Sequence, residues 1–238
     1  MVQTNNLKNA GKLPLHVGII IDGNRRWARE RNLPTLEGHL KGYEKMRQVP
    51  AWFFSRGVQI LSVFAFSTEN WNRSREEVNY LMKLLQQAIK EELEATAKKG
   101  YRILISGRLE ELPGDLPQLC QQIMEKTKTA KSGSLNICLN YGGRAEIVDA
   151  VKKMIKNKIE PEQVHEGMIR KYLYNGELPD LDLIVRTSGE QRLSGFMLWF
   201  STYSELMFIK KYWPDFEETD VDLILKEYAA RQRRLGGD

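Results

Sequence analysis

The stretch HVGIIIDGNRRWARERN, residues 16–32, joins an apolar run to one acidic residue and a group of arginines. The apolar run has the length and composition of a strand. Asp22 and Gly23 favour a turn, and Asn24 is of the residue type that caps a following helix. The stretch therefore predicts a strand, a turn and a helix in immediate succession.

The rest of the chain repeats this alternation of short β-rich runs with longer helical ones. Strands are predicted near residues 16–21, 58–66, 102–106, 134–139, 182–186 and 206–210. Between two of them, Ser74 to Glu77 has the sequence of a capping box, and the helix it opens is predicted to reach Lys99, with Gly100 closing it. Alternation of this kind is typical of an α/β fold with a central, mostly parallel sheet covered by helices.

Length and composition favour one such domain in a reducing compartment. The chain has 238 residues, 42% of them hydrophobic, and no stretch with the composition of a linker. Residues 1–13 are predicted to be a flexible tail and residues 14–238 the domain. No apolar run approaches the ~20 residues of a membrane span. Cys120 and Cys138 lack the neighbours of a metal site, and the polar amino end lacks a signal peptide's apolar segment, so we expect a cytoplasmic protein.

The net charge of +5 favours anionic partners, namely phosphates, nucleic acid or an acidic membrane surface. Arg25, Arg26 and Arg29 crowd the predicted amino end of a helix, where positive charge is unfavourable unless an anion lies there. A carboxylate beside that anion, Asp22, suits Mg²⁺, which commonly binds one or two carboxylates together with substrate phosphates. Considered alone, a turn and a helix cap account for Asp22 and Asn24 equally well.

Three more polar segments follow predicted strands, where ligands bind in open parallel sheets. FAFSTENWNRSREE, residues 64–77, offers hydroxyl and amide groups beside Phe66 and Trp71, although a polar loop with an aromatic anchor explains it as well. NYGGR, residues 140–144, is explained equally by a tight turn. The third, residues 181–199, contains Arg186 and Arg192, which suit phosphate oxygens, the alternative being surface ion pairs.

These segments together resemble those of cis-prenyltransferases such as undecaprenyl diphosphate synthases. HVGIIIDGNRRW, the Gly38-His39 pair, FAFSTENWNRS, NYGGR, IVRTSGEQRLSGFMLW and YSELMF with WPDF occur in that family's order, over about residues 14–236. Several separated motifs in order are more specific than any one of them. The resemblance implies an α/β fold enclosing a hydrophobic tunnel, a homodimer, and Mg²⁺-dependent addition of isopentenyl diphosphate to an allylic diphosphate, expected to be farnesyl diphosphate, giving a medium-chain polyprenyl diphosphate.

The resemblance also implies a role for each matching residue. Asp22 and Asn70 are expected to be catalytic, and Asp22 and Glu205 to bind Mg²⁺, with Glu205 acting across or near the dimer interface. The residues expected to bind the two diphosphates and their chains are Gly23, Asn24, Arg25, Arg26, Trp27, His39, Phe66, Ser67, Trp71, Arg73, Arg186, Arg192 and Ser194. The apolar stripe of the 75–99 helix, Leu84, Leu85, Ala88 and Ile89, is expected to include tunnel residues, although core packing gives the same periodicity.

The sequence departs from the family pattern at Arg25, where bacterial members usually have glycine, and at Thr35, where the family usually has an arginine. Either Arg25, Arg29 or Arg31 is expected to replace the diphosphate contact of the missing arginine, or the allylic substrate is expected to be held differently. A non-catalytic partner subunit of the same fold and a basic nucleic-acid-binding protein are the alternatives. The first would be expected to lack the Asp22 and Arg186 constellations, which are present, and the second to interleave aromatic and basic residues on its surface. No nucleic acid is expected as partner, and peripheral membrane contact is expected for product release.

Overall fold

Six parallel strands form one sheet in the part of the chain that the structure describes. The structure is a computed structural model that describes residues 13–231, and of residues 92–99 it describes the backbone alone. The strands are β1 (His16–Ile20), β2 (Ile60–Ser67), β3 (Arg102–Ser106), β4 (Ser134–Tyr141), β5 (Leu183–Arg186) and β6 (Glu205–Phe208). Their order across the sheet is β3-β4-β2-β1-β5-β6, and every neighbouring pair is parallel. The α/β fold and the six predicted strands are confirmed.

Helices connect the strands and cover both faces of the sheet. They are α1 (Asn24–Glu30), α2 (Thr35–Met46), α3 (Val49–Phe54), α4 (Arg75–Lys99), α5 (Leu116–Thr127), α6 (Gly143–Lys156), α7 (Glu166–Tyr172) and α8 (Glu218–Ala230). Short 3-10 helices occupy Thr68–Asn72, Leu109–Glu111, Pro161–Gln163, Leu198–Phe200 and Trp213–Asp215. None of the helices within residues 13–231 has the length and apolar content needed to cross a bilayer.

The hydrophobic core has two parts because successive strand residues point to opposite faces of the sheet. Val17 and Ile19 of β1 belong to a cluster with residues of α3, α4, α5 and α8. Ile20 belongs to a second cluster, which includes Ala150 of α6 and Phe196. Residues 1–12 of the predicted tail lie outside the described residues, whereas Leu13 packs against the first cluster.

The turn after β1 is shaped by two glycines that bring α1 and α2 close to it. Gly23 has φ = +108°, a backbone conformation that residues with a side chain rarely adopt. At Gly38, an added Cβ would lie 2.1 Å from the carbonyl oxygen of Asn24. Glycine at this position therefore lets α2 pack directly on α1, and this packing fixes the position of the residues that follow Asp22.

Candidate active site

A cavity of about 990 Å³ opens at the carboxyl ends of β1, β2 and β5, which are neighbours in the sheet. This is where open parallel sheets bind ligands. Its polar lining consists of Asp22, Gly23, Asn24, Arg25, Arg26, Arg29, Asn32, Thr35, His39, Ser67, Asn70, Arg73, Arg186, Glu190, Arg192 and Ser194. Segments that are far apart in sequence therefore meet around one cavity.

Asp22 lies between two arginines that belong to different elements. Its Oδ2 accepts a hydrogen bond from Arg186 Nη2 at 2.8 Å, and its Oδ1 is 3.1 Å from Arg26 Nη2. Burial alone would raise the pKa of Asp22, but the hydrogen bond and charge of Arg186, with the charge of Arg26, outweigh it and hold the pKa below its ordinary value. The carboxylate is therefore ionised at neutral pH.

Arg186 is a buried cation, with 4% of its surface exposed. Its Nη1 donates to the carbonyl oxygen of Arg192 at 2.5 Å and to Ser194 Oγ at 2.9 Å. Its Nε is buried and has no hydrogen-bond partner among the described residues. A buried guanidinium with an unpaired N–H donor is suited to bind an anion, because a buried donor without a partner costs free energy.

The turn after β5 fixes the geometry around Asp22. Thr187 Oγ1 accepts from the backbone N–H of Asp22 at 2.8 Å and donates to the carbonyl oxygen of Asp22 at 2.6 Å. Arg26 donates to Ser188 Oγ at 2.6 Å and to Glu190 Oε1 at 2.8 Å. Thr187 and Ser188 were given no role from the sequence, and Glu190 is the partner in the alternative of surface ion pairs, which the structure contains with Arg26 and Arg192. Their position directly after Arg186, at a strand end, was the available signal.

A second basic group surrounds Glu77 on the first turn of α4. Glu77 Oε1 accepts from His39 Nε2 at 2.9 Å and from Arg73 Nη1 at 3.0 Å, and its Oε2 is 3.9 Å from Arg25 Nε. Burial would raise the pKa of Glu77, but the hydrogen bond from His39 and the charge of Arg73 lower it. For His39, burial outweighs the contact with Glu77 and lowers the pKa, so the imidazole is neutral at neutral pH.

The sequence analysis identified Glu77 only as part of a capping box. Half of that box is present, since the Glu77 N–H donates to Ser74 Oγ at 3.3 Å. The carboxylate points instead to His39 and Arg73. Sequence spacing could not reveal this, because His39 lies on a different helix.

The segment between β2 and α4 contributes Phe66, Ser67, Asn70 and Arg73 to the cavity. Ser67 precedes the 3-10 helix Thr68–Asn72, and its backbone N–H donates to Asn70 Oδ1 at 3.1 Å. These contacts bond Asn70 to its own turn.

Two tryptophans expected to bind substrate lie outside the residues that line the cavity. The indole of Trp27 donates to Asp215 Oδ1 at 2.6 Å, and Arg31 lies over its ring at 4.5 Å. The indole of Trp71 donates to Asn140 Oδ1 at 2.8 Å, and its ring meets the edge of Phe66. Both indoles anchor neighbouring segments, so these positions give no support to a substrate contact.

Glu205, expected to bind metal, lies far from Asp22 within one chain. It is the first residue of β6 and pairs with Leu183 at the amino end of β5, whereas Asp22 follows the carboxyl end of β1. Its carboxylate accepts from Arg231 Nη1 at 2.9 Å. Among the described residues, no group of three or more His, Cys, Asp or Glu side chains is placed to hold a metal.

Thr35, the position where an arginine is expected from the resemblance, lines the same cavity as several cationic side chains. Thr35 lines the cavity, as do Arg25 and Arg29. Arg31 does not line it and pairs with Asp215 at 3.1 Å. Of the three arginines expected to replace the missing contact, Arg25 and Arg29 therefore have the position to do so.

Part of the cavity lining is apolar. Its apolar residues include Met46, Phe64, Leu81, Leu84, Leu85 and Ala88. A smaller cavity of about 80 Å³ adjoins this part and is lined almost entirely by apolar residues that include Ile89, Ile103, Ile123 and Leu139. Tyr43, Met46, Leu85 and Ala88 line both cavities. Cationic and apolar side chains therefore line one cavity, and its apolar part adjoins a second, apolar cavity.

Known proteins with similar sequences are prenyl-transferring enzymes. A family model described as putative undecaprenyl diphosphate synthase matches residues 20–236. An isoprenyl transferase of Thermotoga maritima is 46% identical over 228 residues, covering 95% of this chain and 98% of that protein. A tritrans,polycis-undecaprenyl-diphosphate synthase (geranylgeranyl-diphosphate specific) of Methanopyrus kandleri is 43% identical, covering 95% and 86%.

Solved structures with this fold lead to the same family. Lavandulyl diphosphate synthase from Lavandula x intermedia, solved in complex with dimethylallyl diphosphate, has a TM-score of 0.88 and 32% identity, covering 95% of this chain and 99% of that one. A probable undecaprenyl diphosphate synthase from Campylobacter jejuni has a TM-score of 0.78 and 30% identity, covering 94% and 98%. The chain belongs to the undecaprenyl diphosphate synthase family of prenyltransferases.

Proposed function

We propose that this protein is a Mg²⁺-dependent cis-prenyltransferase that adds isopentenyl diphosphate to an allylic diphosphate, with farnesyl diphosphate as primer and a medium-chain polyprenyl diphosphate as product. One observation carries the proposal, which is a single cavity lined by arginines and a carboxylate at the strand ends and by apolar side chains of α4, where it adjoins an apolar cavity. Such a cavity suits a substrate with a charged head and a hydrocarbon tail.

The two basic groups in the cavity lining suit two diphosphates. Arg186, Arg192 and Ser194 are proposed to hold isopentenyl diphosphate, and the free Nε of Arg186 supplies a donor for it. Asn24, Arg25, Arg26, His39 and Arg73, with the backbone at Gly23, are proposed to surround the allylic diphosphate. Its tail then extends along α4 toward Leu85 and Ala88, which line both cavities.

The residues present fit a magnesium ion that enters with the diphosphate. Mg²⁺ prefers oxygen ligands and commonly uses one or two carboxylates together with phosphates and water. Asp22 offers an ionised carboxylate, and Asn24 Oδ1 is a buried oxygen with no partner among the described residues. Both line the cavity. Asp22 would hold the ion, and its bond to Arg186 would be released to do so.

The proposed reaction breaks the bond between C1 of the allylic chain and its diphosphate oxygen. The π electrons of isopentenyl diphosphate form the new C–C bond from its C4 to C1 of the allylic chain. The C2 proton of the isopentenyl unit passes to the released pyrophosphate, and this restores a double bond. The bound Mg²⁺ would neutralise charge on the departing pyrophosphate. Arg26, His39 and Arg73 are proposed to do the same through hydrogen bonds whose donors are already held in position. Asn70 is proposed to hold the β2–α4 segment over the substrates.

Incubation with radiolabelled isopentenyl diphosphate tests this function. Dimethylallyl, geranyl, farnesyl and geranylgeranyl diphosphates would be supplied as primers, each with Mg²⁺ or with excess EDTA, followed by extraction of lipid product. We expect label in the lipid fraction, most with farnesyl diphosphate and none with EDTA. Absence of label with every primer would favour the non-catalytic partner subunit.

The assembly and location expected from the resemblance are part of the same proposal. A homodimer would allow Glu205 of one copy to act near the site of the other, and light scattering of the purified chain measures its mass. A cytoplasmic protein with peripheral membrane contact would release its apolar product into a bilayer. Sedimentation with vesicles, with and without product, tests that contact.

A further inference from the structure

Glu77 is a buried acid that none of the roles assigned above includes. Its exposed fraction is 6%, and it is absent from the cavity lining, whereas its partners His39, Arg73 and Arg25 all line the cavity. It therefore stands behind three basic side chains from three segments, α1, α2 and the loop before α4. Glu76, its neighbour on the same helical turn, is exposed to solvent.

We propose that Glu77 is a positioning residue for the reaction, which holds His39 and Arg73 in the cavity wall in the orientation that receives the primer's diphosphate. This inference rests on the proposed function. Arg73 lies at the end of the β2–α4 segment, so the same contact ties that segment to α2.

The geometry favours positioning over a role in helix stability alone. An acid on the first turn of a helix is stabilising wherever it lies on that turn, and an exposed position is sufficient. Glu77 instead places one oxygen within hydrogen-bond distance of both His39 and Arg73. Because Nε2 of the neutral imidazole donates to Glu77, Nδ1 carries the lone pair, so the carboxylate also fixes the tautomer of His39.

The variant Glu77→Gln keeps the size of the side chain and removes its charge. We expect the Michaelis constant for farnesyl diphosphate to rise about tenfold, as for the loss of a hydrogen bond to a charged group, with a smaller change for isopentenyl diphosphate. Glu76→Gln makes the same change on the same turn and is expected to match the wild type. Glu77→Asp keeps the charge but moves the carboxylate away from His39 and Arg73, because the side chain is shorter. It is expected to raise the same Michaelis constant and replaces Glu77→Gln in the experiment if that variant does not fold.

A double-mutant cycle with Arg73→Gln separates positioning from general destabilisation. If Glu77 acts through Arg73, the double variant loses less of kcat/KM than the product of the two single losses. Losses that multiply, or equal rises in both Michaelis constants, would overturn the proposal.

Titration of the His39 imidazole by NMR provides a test without turnover. The carboxylate of Glu77 raises the pKa of His39 against the effect of burial, so Glu77→Gln is expected to lower it further and Glu76→Gln to leave it unchanged. An unchanged His39 titration in Glu77→Gln would contradict the contact itself. An inactive wild-type chain would contradict the proposed function instead, and the titration distinguishes the two failures.

Discussion

Asp22 and Arg186 depend on each other because each is partly or wholly withdrawn from water. The side chain of Arg186 is 5% exposed and that of Asp22 is 27% exposed. A charge in such a position is costly unless an opposite charge compensates it. If Mg²⁺ binds Asp22 and a diphosphate binds Arg186, both charges remain compensated after the ion pair between the two residues is broken.

The variant Asp22→Asn is expected to fold and to lose at least about 100-fold in turnover, the order of loss seen when one preorganised electrostatic group is removed. Its free energy of unfolding should fall by about 1–3 kcal/mol, because Arg186 loses its carboxylate. Labelled isopentenyl diphosphate incorporation and thermal unfolding measure the two effects. Ordinary turnover in Mg²⁺ by the folded variant would remove Asp22 from the mechanism.

Arg192 offers a cleaner test of the isopentenyl diphosphate site, because its side chain is 58% exposed and contributes little to the core. In the variant Arg192→Ala we expect the Michaelis constant for isopentenyl diphosphate to rise about tenfold, as for a lost charged hydrogen bond, and that for the primer to change less. Arg186→Ala should act in the same direction but also destabilise the fold. Equal effects on both substrates would contradict the division into two anion sites.

The polar residues of the cavity were predictable where they end a strand or follow it closely. Asp22, Ser67 and Arg186 satisfy that condition, and the structure brings them to one cavity. Trp27 and Trp71 follow strands too, but their indoles turn toward Asp215 and Asn140, which lie far away in sequence. Side-chain direction depends on such distant partners, so proximity to a strand end was not sufficient.

At the scale of elements, α4 extends from the contacts of Glu77 to the apolar part of the cavity. Its first turn carries Glu77, and its third and fourth turns carry Leu85 and Ala88, which line both cavities. Ile89, which follows them, is buried in the core and lines the smaller cavity. The apolar stripe predicted from the sequence is therefore divided between core packing and cavity wall, which helical periodicity alone does not separate.

The variant Ala88→Leu is expected to shorten the product with little loss of initial rate. The larger side chain would enter space between the two cavities, so elongation would stop early while the first condensations proceed. In a packed core the same change costs ~1–3 kcal/mol. Chromatography of the lipid products and a melting curve distinguish the two cases. Unchanged product length with a lower melting temperature would show that Ala88 is only a core residue.

The elements themselves were predictable from local pattern, but their arrangement was not. Each strand is a short apolar run between turn residues, and such runs depend on neighbouring residues only. The order of the strands depends on pairs such as Val17 with Leu183, which no local pattern encodes. Glu205 is a different case, because the strand predicted near residues 206–210 already places it at the amino end of a strand, where the structure has it.

At the scale of the molecule, a line of buried polar side chains crosses one sheet. Asn175 donates to Ser106 at 2.7 Å, Ser106 to Asn136 at 2.9 Å, and Asn136 to Ser62 at 3.0 Å. Ser62 lies 2.7 Å from His16 Nε2. The line joins β3, β4, β2 and β1, and every link has a donor and an acceptor.

His16 ends this line and must be neutral to do so. Its Nδ1 lies 2.8 Å from the carbonyl oxygen of Pro179, which can only accept, so Nδ1 carries the proton and Nε2 accepts from Ser62. Burial lowers the pKa of His16 to about 4, against hydrogen bonding to Pro179 and the charge of Asp182, which raise it. Protonation of Nε2 would break the bond from Ser62.

The free energy of unfolding should therefore decrease as the pH is lowered, because His16 takes up a proton. The unfolded chain binds the proton near pH 6.5 and the folded chain near pH 4, so stability is complete above pH 6.5 and is lost as pH falls toward 4. The loss is at most about 3 kcal/mol. Urea unfolding at each pH should show that the free energy of unfolding depends less on pH in His16→Gln than in the wild type. The variant His165→Gln, which changes an exposed histidine, should keep the pH dependence of the wild type. Parallel profiles for all three would contradict this origin.

The central position of β1 has a consequence for synthesis. The ribosome releases β1 first, yet β5, its neighbour on one side, follows much later, since Val17 pairs with Leu183. Until then β1 presents an unpaired apolar edge, the kind of edge on which other chains pair. We expect nascent chains stalled before residue 183 to be protease-sensitive and to bind chaperones, and chains stalled with β6 outside the ribosome to resist protease. Protection of the shorter chains would mean that β5 is added to a sheet that is already stable.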